Sequence, residues 1–131
     1  MKDLRKQLEE RIPTVEAAYK EVGESRIDFS VFPENKRAYK EAQYDAEILV
    51  EAARKIEREN GLGEIDWSDY SQPKYIPWFD MSPSSFAFYD SNFDYDFARA
   101  GSGSRLRVLV RETARFLGEN FSEIWEGVQL G

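Results

Sequence analysis

The chain has no cysteine and no histidine in 131 residues. The first absence rules out disulfides and thiolate metal sites. The second removes the commonest general base and the imidazole ligands of zinc. Together they exclude a Ser/His/Asp triad and a cysteine nucleophile, so any chemistry would have to run on carboxylates, Lys, Tyr, Ser or Thr. Long apolar runs are missing too: nothing approaches the ~20 consecutive apolar residues of a membrane span. The opening MKDLRKQLEE is charged and periodic, without the apolar segment of a secretory signal, so the protein is expected in the cytoplasm and away from membranes. Cations are scarce: 18 Lys and Arg stand against 25 Asp and Glu, a formal charge of −7. That sign opposes direct nucleic-acid binding, which needs cations to displace condensed counterions, and suits a soluble protein or one that meets a basic partner.

What the chain has in plenty is aromatic side chains. With 41% hydrophobic and 15% aromatic residues it can bury an ordinary core, and its length predicts one domain over residues 1–131. Eleven of the 19 aromatic residues fall between Trp67 and Phe97, among five aspartates and a single cation, Lys74. The spacing of residues on either side predicts helices. Leu4, Leu8, Ile12, Val15, Tyr19 and Val22 share one helical face, interrupted by Pro13; two short helices are expected, with Thr14 as an N-cap and Gly23 as a stop. A connector over 24–32 turns Ile27, Phe29 and Phe32 into the core. A long helix then runs from about Pro33 to Asn60, its inward sector holding Ala38, Ala42, Ala46, Leu49, Ala53 and Ile56 and widened by Ile48, Val50 and Ala52. So many alanines let a neighbour approach the backbone closely. Asp45 lies in that same sector. Burying it unpaired would cost several kcal/mol, so an Arg or a Tyr hydroxyl beside it, or a position at the sheet's edge, is expected; the alternative is a carboxylate with a raised pKa beside a pocket.

The aromatic stretch reads as strands. Lys74 to Met81 forms the first, demoted to an edge or bulged strand by Pro77. Ser85 to Asp90 and Asn92 to Ala98 alternate and would form a hairpin turning at Ser91-Asn92. Arg105 to Leu109 makes a last strand, followed by one helix to about Val128 with a stripe of Ala114, Leu117, Gly118, Phe121, Ile124, Trp125 and Val128. Glycine inside a helix otherwise costs about 1 kcal/mol against alanine, so Gly118 marks a close neighbour. The expected fold is α+β: N-terminal helices, one long Ala-rich helix, a small antiparallel aromatic sheet of three to four strands and a C-terminal amphipathic helix.

Pro77-Trp78-Phe79-Asp80-Met81-Ser82, then Phe86-Ala87-Phe88, then Gly103-Ser104-Arg105-Leu106, continuing through Glu112, Ala114, Gly118 and Phe121, carry a resemblance. The chain resembles a family of small proteins encoded by phages, prophages and other mobile elements of gut Bacteroidetes, whose pattern runs approximately YYPWFDMS, GFGF and GSRLCFKSRELAEYAGKQF. The resemblance covers residues 74–126. Arg107 replaces the family's cysteine, and Val110 stands where the family has a serine or threonine. It implies a phage or mobile-element origin and no particular activity.

Several constellations suggest chemistry. Asp90, Asn92 and Asp94 open like a calcium loop, but Tyr95 stands where that loop needs Gly and Gly101 where it needs Glu. Asp80, Asp90, Asp94 and Asp96 would gather on one sheet surface, where paired carboxylates could hold a metal for a hydrolase. Gly101 to Arg105 is glycine-rich, yet a strand follows it instead of the helix a phosphate cradle needs. Arg99, Arg105, Arg107, Arg111 and Arg115 face one acid, Glu112; they pair with the aspartates or form a patch for an anionic partner, with Arg107, Arg111 and Arg115 aligned if the helix begins early. The leading expectation is a non-catalytic, cofactor-free acidic module that binds a host or phage protein, one form of which is an antagonist of host defence or of a nucleic-acid-binding protein. Its contact residues are Asp80, Tyr89, Asp90, Asp94, Asp96, Arg105 and Arg107. A virion or assembly component forming homo-oligomers is the second expectation, and a carboxylate-based metal-dependent hydrolase the third.

Overall fold

A computed structural model describes residues 3–66, 68–69, 71–80, 87–94 and 106–130, and for 77–80, 87–94 and 129–130 it describes the backbone. The two N-terminal helices form as expected. α1 (Leu4–Arg11) starts where the Asp3 carboxylate accepts the Arg5 N–H at 3.0 Å, and it ends at Ile12, which leaves the helical conformation ahead of Pro13. α2 (Val15–Val22) starts where Thr14 Oγ1 accepts the Ala17 N–H at 3.1 Å, and it ends at Gly23, whose φ of 75° is cheap only without a Cβ.

The 26-residue helix α3 (Glu34–Glu59) is the axis of the molecule, about 39 Å long. α1, α2 and the two C-terminal helices all pack against it. Its buried side is Ala46, Leu49, Ala53 and Ile56, widened by Ile48, Val50 and Ala52, while Ala38 near its start is exposed. The alanine stripe admits a neighbour as anticipated: a Cβ built on Gly127 would lie 2.6 Å from the Ala42 Cβ. That neighbour is the last of two helices where one was expected. α4 (Arg111–Asn120) and α5 (Ser122–Leu130) are separated at Phe121, which leaves the helical conformation and stays buried against Phe116 with the rings edge-on at 5.9 Å. Gly118 is buried on α4, which packs on α1 and on the strands.

The expected α+β fold with an aromatic sheet of three to four strands is overturned. The described residues are mostly helical and hold one antiparallel pair, β1 (Lys74–Asp80) with β2 (Ala87–Asp94). Two physical reasons account for the difference. Ser91-Asn92 lacks the glycine that a two-residue hairpin turn favours; β2 runs straight through it, pairing Ser91 with Pro77 and Asn92 with Ile76. The expected strand at Arg105–Leu109 shrinks to one bridge, in which Tyr75 and Val108 exchange N–H···O bonds of 2.8 and 2.9 Å. It goes no further because the next two donors, the N–H groups of Leu109 and Val110, are taken by the Glu57 carboxylate from α3. Pro77, which has no N–H to give, sits in a strand of this pair, as an edge position allows.

Candidate functional site

The sequence-predicted contact residues do not gather into one described site. Asp80 ends β1 opposite Ala87, Asp90 lies opposite Trp78 and Asp94 opposite Lys74, so the last two stand about 13 Å apart along β2. Between Trp78–Asp90 and Phe79–Phe88 the register shifts, leaving Tyr89 as the extra residue of a β-bulge. Asp96 and Arg105, with Arg99 and the Gly101–Arg105 loop, lie outside the described residues. Arg107 precedes α4, so it does not align with Arg111 and Arg115; its carbonyl accepts the Arg54 Nε–H at 2.5 Å. Arg111 stacks its guanidinium over Tyr75 at 5.5 Å. Lys74, opposite Asp94, is fully buried and donates to the carbonyls of Gln72 and Asp69 at 3.0 and 3.4 Å.

Two buried carboxylates lie on the inner side of α3, and both are occupied by structure. Asp45 is 6% exposed; its Oδ1 accepts the Tyr19 hydroxyl at 2.6 Å and its Oδ2 the Arg26 guanidinium at 3.3 Å. This is the expected Arg-and-Tyr pairing. Arg26 also covers the Tyr19 ring at 4.9 Å, and burial together with the neighbouring carboxylate pushes the Tyr19 phenol well above its usual range. Glu57, 0% exposed, was not singled out from the sequence although it sits four residues after Ala53 and seven after Val50, on the widened apolar side. Its Oε1 and Oε2 accept the Leu109 N–H at 3.0 and 3.2 Å, and Oε2 the Val110 N–H at 3.0 Å. Val110, the residue before α4, has no side-chain cap of its own, so Glu57 caps α4 from another helix. Burial raises its pKa, and the two backbone donors and nearby Thr113 pull the other way. Among the described residues no three acids are placed to hold a metal ion.

An open cleft of about 520 Å³ follows the C-terminal half of α3. Val22, Ile65 and Leu109 supply its apolar lining, and Gly63 belongs to the segment that crosses over it. Its cations are engaged: Lys55 with the Glu21 carbonyl at 2.7 Å and carboxylate at 3.2 Å, Arg58 with Glu64 at 2.9 Å, and Arg54 with Arg107. Arg11 adds a second cation to Glu21 and holds that carboxylate below its usual range. Glu47 and Glu51, one turn apart on α3, make no ion pair among the described residues, and Glu47 accepts from Gln43 Nε2 at 3.3 Å.

The connector between α2 and α3 departs most from expectation. Phe29 is buried as foreseen, against Tyr44 and Phe32, but Ile27 is 49% and Val31 81% exposed. The segment is braced nonetheless. Asp28 accepts the Ser30 N–H at 2.9 Å to start a single 3-10 turn, Phe29–Val31. Arg37 donates to the carbonyls of Phe32 at 2.8 Å and Ser30 at 3.1 Å, and Lys40 lies over the Phe32 ring at 5.3 Å. Exposed Val31 thus stands on a braced turn, with exposed Ile27 just ahead of it.

No protein-family model, curated protein or solved structure matches the chain. Among the described residues no helix is long and apolar enough to cross a membrane.

Proposed function

We propose that the chain is a non-catalytic acidic protein-binding module of phage or mobile-element origin that acts by covering a surface of a host protein, such as a defence or nucleic-acid-binding one. The observation that carries this reading is the braced connector. Val31 presents apolar surface to water on a turn flanked by the Ser30 and Phe32 carbonyls that Arg37 already holds, so little order has to be gained there on contact, and Ile27, just before the turn, adds to that surface. The −7 charge adds long-range attraction for a basic partner and speeds encounter with it. The acids Asp80, Asp90 and Asp94 and the bulged Tyr89 on the strand pair are assigned to a further contact with such a partner, as are Arg107 and, outside the described residues, Asp96 and Arg105.

The test is affinity capture from a bacterial lysate, quantified by mass spectrometry, with three baits: the unaltered chain, Ile27→Asp/Val31→Asp and Asp90→Lys/Asp94→Lys. A protein enriched by the unaltered chain and lost with at least one variant supports the proposal. Recovery indistinguishable from background, or the same set with all three baits, refutes it.

A further inference from the structure

We propose that Arg26 is the positioning residue of the connector, a role that rests on the reading of the connector as the contact surface. Seated on Tyr19 and gripped by Asp45, it fills the place Ile27 would otherwise take and so keeps Ile27 available to a partner. Ile27, expected in the core, is 49% exposed, while the side chain just before it reaches inward to α3. Residues 24–28 form neither helix nor turn, and Asp28 is extended. In extended backbone successive side chains point to opposite sides, so Arg26 and Ile27 compete for the inward direction.

The arginine wins for reasons visible around it. Its Nη2 donates to Asp45 Oδ2 at 3.3 Å, and Glu16 and Glu41 each come within 3.9 Å of the guanidinium. Asp45 is buried and meets no other cation among the described residues. Leaving that carboxylate without its cation would cost more than leaving half of one isoleucine side chain in water. The guanidinium also lies over the Tyr19 ring at 4.9 Å. Tyr19 packs against Tyr44, whose ring in turn meets Phe29, so an aromatic floor underlies the connector. With Arg26 in place the Tyr19 face is taken; without it, an apolar face stands open one residue away from an exposed isoleucine.

Nuclear magnetic resonance of labelled isoleucine methyls in the full chain tests this, with a soluble paramagnetic agent that broadens accessible methyls. In the unaltered chain Ile27 should broaden strongly against the buried references Ile12, Ile48 and Ile56. Arg26→Ala/Asp45→Asn removes both charges together and keeps an acceptor for the Tyr19 hydroxyl. There the broadening of Ile27 should fall to the level of the buried references, and its methyl should shift upfield over the Tyr19 ring. Arg26→Leu/Asp45→Asn refills the ring face with an aliphatic side chain and should return Ile27 to water, which separates a filled place from a merely altered charge. Circular dichroism checks that both variants fold. An Ile27 methyl that stays fully broadened in the alanine variant, or that is equally protected in both, overturns the inference. Lysate capture with the same chains keeps the two readings apart. A partner lost with Ile27→Asp/Val31→Asp should weaken with the alanine variant and return with the leucine one; equal capture by both overturns the positioning role and leaves the contact reading standing. Capture of nothing by the unaltered chain refutes the contact reading, and the methyl spectra still decide what holds Ile27 out.

Discussion

Replacing Glu57 by alanine should loosen α4 from the body of the protein. The carboxylate is fully buried and is the only described acceptor for the Leu109 and Val110 N–H groups at a helix start whose own residue offers no cap. Each donor left without a partner costs about 1–3 kcal/mol, toward the lower end here because the bonds are only part-buried. The missing methylene adds about 0.8 kcal/mol. Relief from burying a carboxylate offsets part of the sum, leaving a net loss of about 2–4 kcal/mol against a typical total of 5–15. Urea denaturation followed by circular dichroism reads that difference directly. A pH series reads the balance at this carboxyl between burial, which favours the protonated form, and the two backbone donors, which favour the anion. Because the folded pKa of Glu57 lies above the ordinary 4.5, its contribution is fully present below about 4.5 and is lost as pH rises through the folded value. Glu57→Gln carries no such titration, and the other carboxylates cancel in the comparison. The stability of the unaltered chain relative to Glu57→Gln should therefore fall from pH about 4.5 upward. A relative stability that rises over that range, or a Glu57→Ala loss below about 1 kcal/mol, would refute the reasoning.

Gly127→Ala should cost about 1–3 kcal/mol, since its new methyl meets the Ala42 Cβ at 2.6 Å and α5 must move off α3. Adding Ala42→Gly should recover part of the loss, measured as a coupling energy in a double-mutant cycle by urea denaturation. Tyr19→Phe leaves Asp45 Oδ1 without its donor and should lower the unfolding free energy by about 1–3 kcal/mol. In the unaltered chain the Tyr19 phenol, raised above the ordinary 10.0, favours folding fully below about that pH and loses this contribution as pH rises further; ultraviolet titration of the unaltered chain against Tyr19→Phe should show the loss of a tyrosine that resists ionisation until the chain unfolds. Val31→Asp, at an exposed position, should leave the thermal midpoint nearly unchanged, within about 0.5 kcal/mol, so that any binding defect cannot be blamed on unfolding.

Helices were the legible part of this chain because their signals are local. Thr14 and Gly23 bound α2 by their own side-chain and backbone chemistry, and the alanine stripe of α3 announced a close neighbour before that neighbour was known to be Gly127. A carboxylate among apolar positions was equally legible at Asp45, where the Tyr19 and Arg26 partners are the residue types its burial demands. The same signal stands at Glu57, which falls between Ala46 and Val50 around the same helix.

Composition and periodicity by themselves determined that the chain lacks thiol and imidazole chemistry, carries excess negative charge and builds on a long alanine-faced helix. Only the tertiary structure decided where the strands stop and which apolar residues stay in water. Strand pairing depends on which distant group reaches a backbone donor first: at Leu109 and Val110 a glutamate 52 and 53 residues away reaches it, and a fourth strand gives way to a capped helix. Burial of Ile27 and Val31 likewise depends on whether a packing partner arrives, and alternation along the connector carries no record of one.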